Sequence, residues 1–254
     1  MINLFDMNNW VRRSLEQTSP AAIHHPIRSI IHDLENTEGV VVCVWDGMMA
    51  RKWRTDLYPA YKGKRPPTSE SIYEAFRFIQ QLLELSGIMQ VTMPEVEADD
   101  VIAALARHYA AQGTPISIYS TDWDFAQLVA EFPKLVFCGY AAKKPCPPEQ
   151  VVLYKVFVGD TSDNIPGLPG YGPKSFDRAS KPALEAVLKG SRDFTDTGIT
   201  ESQQRWIEAH PNQLETYLAI VQFKPLTLGA ISTWTRMGER DLQRREFLME
   251  RYML

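Results

Sequence analysis

The stretch VVVCVWD at residues 40–46 is the longest continuous apolar strand candidate and ends in an aspartate. Its β-branched and apolar run is typical of a strand that is buried on both faces of a sheet. MINLF (1–5), ISIYS (116–120) and LVFC (135–138) predict three further strands. Apolar residues at helical spacing predict helices after Asp6 to about residue 35, over 69–86 and over 99–113. Strands that alternate with helices predict the α/β class, with a mainly parallel central sheet flanked by helices.

The composition excludes several classes of protein. The 254 residues are 44% hydrophobic and 23% charged, which is typical of a globular protein and not of a disordered or fibrous one. No stretch approaches the roughly 18 consecutive apolar residues of a membrane span, so we expect no membrane association. Asp6 interrupts the first apolar run, so we expect no signal peptide. Three cysteines are too few for a disulfide framework and fit a reducing, cytoplasmic compartment.

Acidic residues follow the predicted strands. Parallel strands place their carboxyl ends at one edge of the sheet, where ligands bind. EVEADD (95–100) and GDTSDN (159–164) add two dense acidic groups. Helix capping explains one or two of these acids, but not all of them. The candidate metal ligands are Asp6, Asp46, Glu97, Asp99, Asp100, Asp122, Asp124, Asp160 and Asp163.

The residue types in this set predict the metal and the reaction. Carboxylates without accompanying His or Cys favour Mg²⁺ or Mn²⁺ over Zn²⁺. Two such ions can stabilise the attacking and leaving oxygens of a phosphoryl displacement. We therefore expect two or more divalent ions and metal-assisted hydrolysis of phosphodiesters.

Residues 51–65, RKWRTDLYPAYKGKR, predict a nucleic-acid contact despite the net charge of −4. Six basic residues stand there against the single acid Asp56, and Trp53, Tyr58 and Tyr61 lie between them. Cations neutralise phosphates, and aromatic rings stack on unpaired bases. The alternative is a solvated loop, which does not explain the aromatic residues.

GLPGYGPKS at residues 167–175 predicts a glycine-rich turn between two short helices. It is not a nucleotide-binding P-loop, because Pro173 stands where that motif requires lysine. Free backbone N–H groups in such a turn can hold a phosphate of duplex DNA without reading its sequence. The alternative is a plain connection between helices.

These motifs together resemble the 5′-nuclease, or flap endonuclease, superfamily. The resemblance rests on Asp6, WDG, WRTDLYPAYKGKR, VEADDVIAA, STDWDFAQLV and VGDTSDNIPGLPGYGPKS, and it extends over about residues 1–180. The sequence is most similar to standalone bacteriophage enzymes and to the 5′-nuclease domain of bacterial DNA polymerase I.

The resemblance implies a domain organisation. It predicts a catalytic core at 1–145, including a basic arch at about 48–85, and a helical duplex-binding region at 146–254. A helix–three-turn–helix is expected at about 151–180, with K⁺ as a possible ligand. Pro182 departs from the family pattern, since proline breaks or ends a helix.

The resemblance also implies residue roles. The nine acids above are the metal ligands. Tyr61 stacks near the scissile nucleotide, Lys62 acts as an electrostatic catalyst, and Arg54 contacts phosphate. The further DNA-binding residues implied are Arg51, Lys64, Arg65, Gly167, Gly170, Gly172, Lys174 and Ser175.

The function expected is that of a Mg²⁺-dependent 5′→3′ exonuclease and flap endonuclease in replication or repair. Its substrate would be DNA with a 5′ flap or a 5′ end at a junction, including RNA primers. We expect a monomer in the cytoplasm of a bacterium or a phage-infected host, with replication proteins as partners. Two alternatives stay open: a PIN-type single-strand ribonuclease and a non-catalytic junction-binding protein.

Overall fold

The chain forms two compact units. The computed structural model describes residues 1–16, 24–139 and 145–253. The sheet unit comprises Met1–Arg51, Pro67–Ala141 and Lys224–Leu254, and the helical unit comprises Lys52–Pro66 and Ala142–Phe223. This division differs from the expected boundary near residue 145 in two places. The basic segment 52–66 groups with the helical unit, and residues 224–254 group with the sheet unit.

The sheet unit is built on six strands. They are β1 (Ile2–Asp6), β2 (Val40–Asp46), β3 (Met89–Met93), β4 (Ile116–Tyr119), β5 (Val136–Cys138) and β6 (Thr235–Met237). Their order is β5-β4-β1-β2-β3-β6, and all neighbouring pairs are parallel except β3 with β6. The prediction of a mainly parallel sheet with flanking helices is confirmed. β3 and β6 were not predicted.

Helices of the sheet unit cover this sheet. They are α1 (Met7–Glu16), α2 (His24–Glu35), α4 (Glu70–Leu85), α5 (Ala98–Ala111), α6 (Ala126–Glu131), α12 (Leu228–Thr233) and α13 (Leu242–Met253). One hydrophobic core joins α1, α2, α4 and α13 to alternate residues of β1 and β2, including Phe5, Cys43 and Trp45. Because side chains alternate along a strand, Leu4, Val42 and Val44 point to the opposite face. There α5 packs against β1, β2 and β4.

α4 belongs to this core and not to an arch. Phe76, Ile79 and Leu82 are buried on one side of it, at the spacing that predicts an amphipathic helix. The expected arch at about 48–85 is therefore shorter in the structure. Within 48–85, residues 52–66 are the part that belongs to the helical unit.

The helical unit contains five helices after residue 145 and one before it. They are α3 (Lys52–Leu57), α7 (Val151–Phe157), α8 (Pro173–Arg178), α9 (Lys181–Leu188), α10 (Glu201–Ala209) and α11 (Gln213–Val221). α7 packs against α8, α9 and α11, and α3 packs against α11. Across the described stretches of both units, no helix is both long and apolar enough to cross a lipid bilayer.

Pro182 starts a helix instead of ending one. It lies in the first turn of α9, where a missing backbone N–H costs nothing because the helix leaves that group without an internal partner. Ser180 caps this end by accepting a hydrogen bond from the Ala183 N–H. The departure from the family pattern thus separates α8 from α9 without disrupting either.

Candidate metal centre and nucleic-acid interface

Asp6 is a buried carboxylate of the sheet unit with a strongly raised pKa. It ends β1 and is 4% exposed. The pKa of Asp6 is raised to about 7. Burial is the largest cause, and the negative charges of Asp46 and Asp122 raise this pKa as well. Hydrogen bonds from the Ser120 hydroxyl (2.8 Å) and the Asn9 N–H (3.1 Å) offset part of this effect on the pKa. A divalent cation beside these carboxylates would remove the repulsion between them.

Asp46 ends β2, the neighbour of β1, and its side chain is exposed. Its Oδ1 accepts a hydrogen bond from the Ala98 N–H at 2.9 Å, and its own N–H donates to Asn8 Oδ1 at 2.8 Å. Ala98 is the first residue of α5, so Asp46 satisfies one of the free N–H groups of that helix. The contact connects the end of β2 to the acidic start of α5.

Three further acids lie at the start of α5. Glu97 is its N-cap residue and is buried, and Asp99 and Asp100 occupy its first turn. The positive end of the helix dipole stabilises negative charge here. Asp100 is 1% exposed, and its Oδ1 accepts the Lys224 N–H at 2.8 Å. Asp100 therefore also anchors the returning chain that leads to α12 and β6.

Asp122 and Asp124 follow β4, which lies on the other side of β1. Asp122 caps the short 3₁₀ turn Trp123–Phe125, because its Oδ1 accepts the Asp124 N–H at 2.9 Å. Ser120 connects this loop to β1, since its hydroxyl accepts the Asp122 N–H and donates to Asp6.

These seven acids all follow β1, β2 or β4 or begin α5. Among the residues that the structure describes, no group of three or more His, Cys, Asp or Glu side chains is close enough to hold a metal ion as it stands. The electrostatic coupling of Asp6 to Asp46 and Asp122 nevertheless indicates shared negative charge at adjacent strand ends. The donor set is made of hard oxygen atoms and fits Mg²⁺ or Mn²⁺. Their joint role as metal ligands stays a prediction.

The two candidate metal ligands of the helical unit, Asp160 and Asp163, have cationic partners within that unit. Lys155 Nζ lies 2.6 Å from Asp160 Oδ2, and both side chains are largely buried. Burial alone would raise the pKa of Asp160, but the charge and hydrogen bond of Lys155, with hydrogen bonds from Ser162, lower it to about 2. Asp163 Oδ1 lies 2.7 Å from an Arg65 nitrogen and 3.9 Å from Lys62 Nζ. Their assignment as metal ligands also stays a prediction.

The three residues assigned to catalysis are buried. Tyr61 is 4% exposed and Lys62 is 7% exposed, and the Lys62 ammonium lies 4.9 Å from the centre of the Tyr61 ring. Arg54 is 4% exposed and donates to the carbonyls of Ile220 (2.9 Å) and Gln222 (3.2 Å) at the end of α11. The Arg54 side chain thus satisfies carbonyls at the C-terminus of α11, and its role as a phosphate contact stays a prediction.

The glycine turn lies between α7 and α8, as predicted. Gly167 has a φ of +71°, and a Cβ atom there would lie 2.6 Å from the Phe157 carbonyl oxygen, so this position requires glycine. The Leu168 N–H donates to that same carbonyl at 2.8 Å. Gly172 is the N-cap of α8, which begins at Pro173.

The remaining candidate DNA contacts differ in their exposure to solvent. Arg51, Lys64, Gly170 and Lys174 are exposed, whereas Gly172 and Ser175 are half-buried. Gly167 is buried, so its contribution is to shape the turn. The other residues of this set stay predicted DNA contacts.

Four residues that support the site were not singled out from the sequence. Asn8 and Ser120 bind the strand-end acids, Lys155 pairs with Asp160 from α7, and Asn164 lies in the loop that carries Asp160 and Asp163. Spacing offered a signal for two of them, because Asn8 follows Asp6 by two residues and Asn164 follows Asp163 directly. Lys155 lies on the buried side of α7, where a lysine is rare unless it is paired.

Comparison with known proteins identifies the family. Residues 8–152 match the family described as the 5′-3′ exonuclease, N-terminal resolvase-like domain. The chain belongs to this family. It is 30% identical to a 5′-3′ exonuclease of Aquifex aeolicus over 80% of this chain and 82% of that protein. It is 31% identical to the flap endonuclease Xni of Vibrio atlanticus over 68% of this chain and 73% of that protein.

Larger relatives share only part of their length with this chain. The thermostable DNA polymerase I of Thermus filiformis is 32% identical over 78% of this chain, but the match covers 24% of the polymerase. The chain therefore spans about a quarter of that relative.

Solved structures share the fold. The T5 5′-exonuclease with bound divalent zinc ions superposes with a TM-score of 0.62 at 19% identity, and the match covers 99% of this chain and 98% of that one. The catalytic core of Rad2 in complex with a DNA substrate gives a TM-score of 0.53 at 16% identity, covering 98% of this chain and 86% of that one.

Proposed function

We propose that this protein is a Mg²⁺-dependent 5′→3′ exonuclease and flap endonuclease that cuts DNA near single-strand/duplex junctions. The observation that carries the proposal is the placement of Asp6, Asp46 and Asp122 at the ends of the three neighbouring strands β1, β2 and β4. This arrangement, in a member of the 5′-3′ exonuclease family, supports a site that binds divalent cations.

The acids at the ends of β1, β2 and β4 and at the start of α5 would hold the ions. The family resemblance extends the set to Asp160 and Asp163. When bound, the ions would supply an activated water and stabilise the charge on the leaving oxygen. Hydrogen bonds from Ser120 to Oδ2 and from the Asn9 N–H to Oδ1 fix the orientation of the Asp6 carboxylate.

Residues of the basic segment would act on the phosphate. Lys62 is the candidate for offsetting the charge that develops on the scissile phosphate. Tyr61 supports it, since the Lys62 ammonium lies over its ring. Arg65, which is partly exposed, is a candidate phosphate contact.

The glycine turn would bind the duplex. Lys174 and the backbone around Gly170 and Gly172 are accessible and carry no base-specific chemistry. We infer binding that ignores sequence and weakens steeply with salt. We also propose that this turn binds K⁺. The protein would act as a monomer in the cytoplasm, together with replication proteins.

The test uses a 5′-labelled flap oligonucleotide on a denaturing gel, with Mg²⁺ and with EDTA. We expect cleavage near the junction in Mg²⁺ and none in EDTA. Asp122→Asn is expected to reduce cleavage by about 10²-fold or more, since it removes a carboxylate from the site. Glu74→Gln is the matched control, because Glu74 is exposed on α4 and its loss removes the same charge.

The two alternative functions predict different gels. A single-strand ribonuclease would cut single-stranded RNA and leave flapped duplex intact. A non-catalytic junction-binding protein would retard the flap substrate in a native gel but cut nothing in either condition. Equal cleavage by Asp122→Asn and the unmodified protein would contradict the proposed site.

A further inference from the structure

The loop that carries Asp160 and Asp163 is a closed turn. Backbone hydrogen bonds of 2.8 Å connect Asp160 and Ile165 in both directions, and the Asn164 N–H donates to the Thr161 carbonyl. Asn164 has a φ of +58°, in the left-handed region that asparagine tolerates better than most residues. Residues 160–165 therefore form a turn of fixed backbone conformation, and the side of it that faces residues 58–65 is called the loop edge.

The basic segment lies along this edge through three hydrogen bonds. Asn164 Nδ2 donates to the Ala60 carbonyl at 2.7 Å, and the Lys62 N–H donates to the Asp163 carbonyl at 2.9 Å. The Tyr58 hydroxyl lies 3.4 Å from the Asn164 carbonyl oxygen, at the long limit for a hydrogen bond. Residues more than 100 positions apart in the chain are thus joined mainly through backbone groups.

Arg65 closes the far end of the segment. Its Nε donates to the Ser162 carbonyl at 3.0 Å, and its terminal nitrogen donates to Asp163 Oδ1 at 2.7 Å. Lys62 also has a left-handed backbone, with a φ of +52°. A non-glycine residue keeps this conformation only when its surroundings enforce it. The docked edge supplies that constraint, because it holds the Lys62 N–H from one side and Ala60 from the other.

We propose that Asn164 is a positioning residue that docks residues 58–65 onto the loop 160–164 and thereby fixes Lys62 beside Asp163. The inference rests on the proposed function for the role of Lys62, but the docking itself does not. It assigns a task to the Asn164 side chain beyond tolerance of a left-handed backbone, which glycine would provide equally well.

Two substitutions separate these tasks. Asn164→Gly keeps the backbone conformation and removes the donor to Ala60. Asn164→Asp keeps the size of the side chain, but an ionised carboxylate cannot donate to a carbonyl. Asn212→Asp is the matched control, because Asn212 is exposed in the same unit and its side chain makes no capping hydrogen bond to α11.

The first measurement is hydrogen exchange of the amides of residues 58–65, read by mass spectrometry on the full chain. We expect exchange at least tenfold faster in both Asn164 variants and unchanged in Asn212→Asp. The amides of β1, β2 and α11 should exchange as in the unmodified protein, which shows that the variants are folded. Unchanged exchange at 58–65 in Asn164→Gly would overturn the proposal.

The second measurement is cleavage of the flap substrate at saturating and limiting DNA. We expect kcat to fall about tenfold in Asn164→Gly, with KM within twofold, because Lys62 acts on the reacting phosphate and not on overall binding. Faster exchange with unchanged kcat would reduce the contact to a structural one and overturn the positioning role. If no form of the protein cut the flap, the proposed function would fail, while hydrogen exchange would still decide the docking.

Discussion

Asp6 and Asp160 are the same residue type and both are shielded from water, yet their carboxyl groups have pKa values of about 7 and about 2. Burial raises the pKa in each case. Asp6 has Asp46 and Asp122 nearby, whereas Asp160 has Lys155 at 2.6 Å. Buried negative charge at Asp6 is therefore repelled by Asp46 and Asp122, whereas at Asp160 it is compensated by Lys155. A bound cation would stabilise the charged form of Asp6, whereas Lys155 already supplies a cation to Asp160.

The largest effect is expected at Asp6. Asp6→Asn should lower flap cleavage by about 10³-fold, because the site loses several kcal/mol of charge stabilisation. The same change should raise the free energy of unfolding of the EDTA-treated protein at pH 8, since it removes a buried carboxylate. Gel assays and urea titrations measure the two effects. Glu74→Gln should change neither flap cleavage nor the free energy of unfolding. A lower free energy of unfolding in Asp6→Asn would contradict the claim that the buried Asp6 carboxylate destabilises the metal-free protein.

Lys155→Met would make Asp160 resemble Asp6. Removing one partner of a buried ion pair leaves the other charge uncompensated, which costs about 3–5 kcal/mol. We expect the free energy of unfolding in urea to fall by this amount, and Asp160→Asn in the same protein to restore most of it. Lys189→Met, an exposed lysine of the same unit, is the control. An additive double variant would mean that the two side chains do not interact.

The pH dependence of stability should differ between the two aspartates. The pKa of Asp6 is raised from 3.8 to about 7, so the folded state holds an extra proton between these values and loses stability as the pH rises through them. The pKa of Asp160 is lowered to about 2, so its contribution is present above 3.8 and is lost as the pH falls towards 2.

Each pH effect is on the order of a few kcal/mol. Thermal melts in EDTA from pH 2 to 8 should show them as differences from Asp6→Asn and Asp160→Asn. Asp6→Asn should match the unmodified protein below pH 4 and exceed it above pH 7. A constant difference across this range would show that Asp6 does not titrate as described.

The smallest effect is expected at Ser120, which donates to Asp6 at 2.8 Å. Ser120→Ala removes a hydrogen bond that favours the charged carboxylate, so the pKa of Asp6 should rise further. We expect Mg²⁺ affinity at pH 7 to fall about tenfold, as calorimetry would measure. Ser71→Ala, on the exposed side of α4, should leave it unchanged.

The sequence predicted the sheet where local pattern is strong. β2 is a continuous apolar run, and β1, β4 and β5 are bounded by turn or acidic residues. β3, MQVTM, is only partly buried and lacks such a run, and β6 has three residues held by its pairing with β3. Strands of this kind depend on tertiary partners that a local pattern does not contain.

The sequence predicted which types of residue form the candidate site, but it did not predict which residues the basic side chains contact. Clusters of acids and cations are visible in the sequence, and their family resemblance is specific. The partners of the cations are not visible, because Arg54 contacts Ile220, 166 residues away, and Arg65 contacts Asp163, 98 residues away.

The antiparallel pairing of β6 with β3 has a consequence for synthesis on the ribosome. The outer edge of β3 exposes unpaired backbone groups until residues 235–237 emerge, long after the rest of the sheet has been translated. Only then does α13 reach α4 and add Met249 to the core. The nascent sheet therefore has an exposed β3 edge that other chains can join until β6 pairs with Met89–Val91.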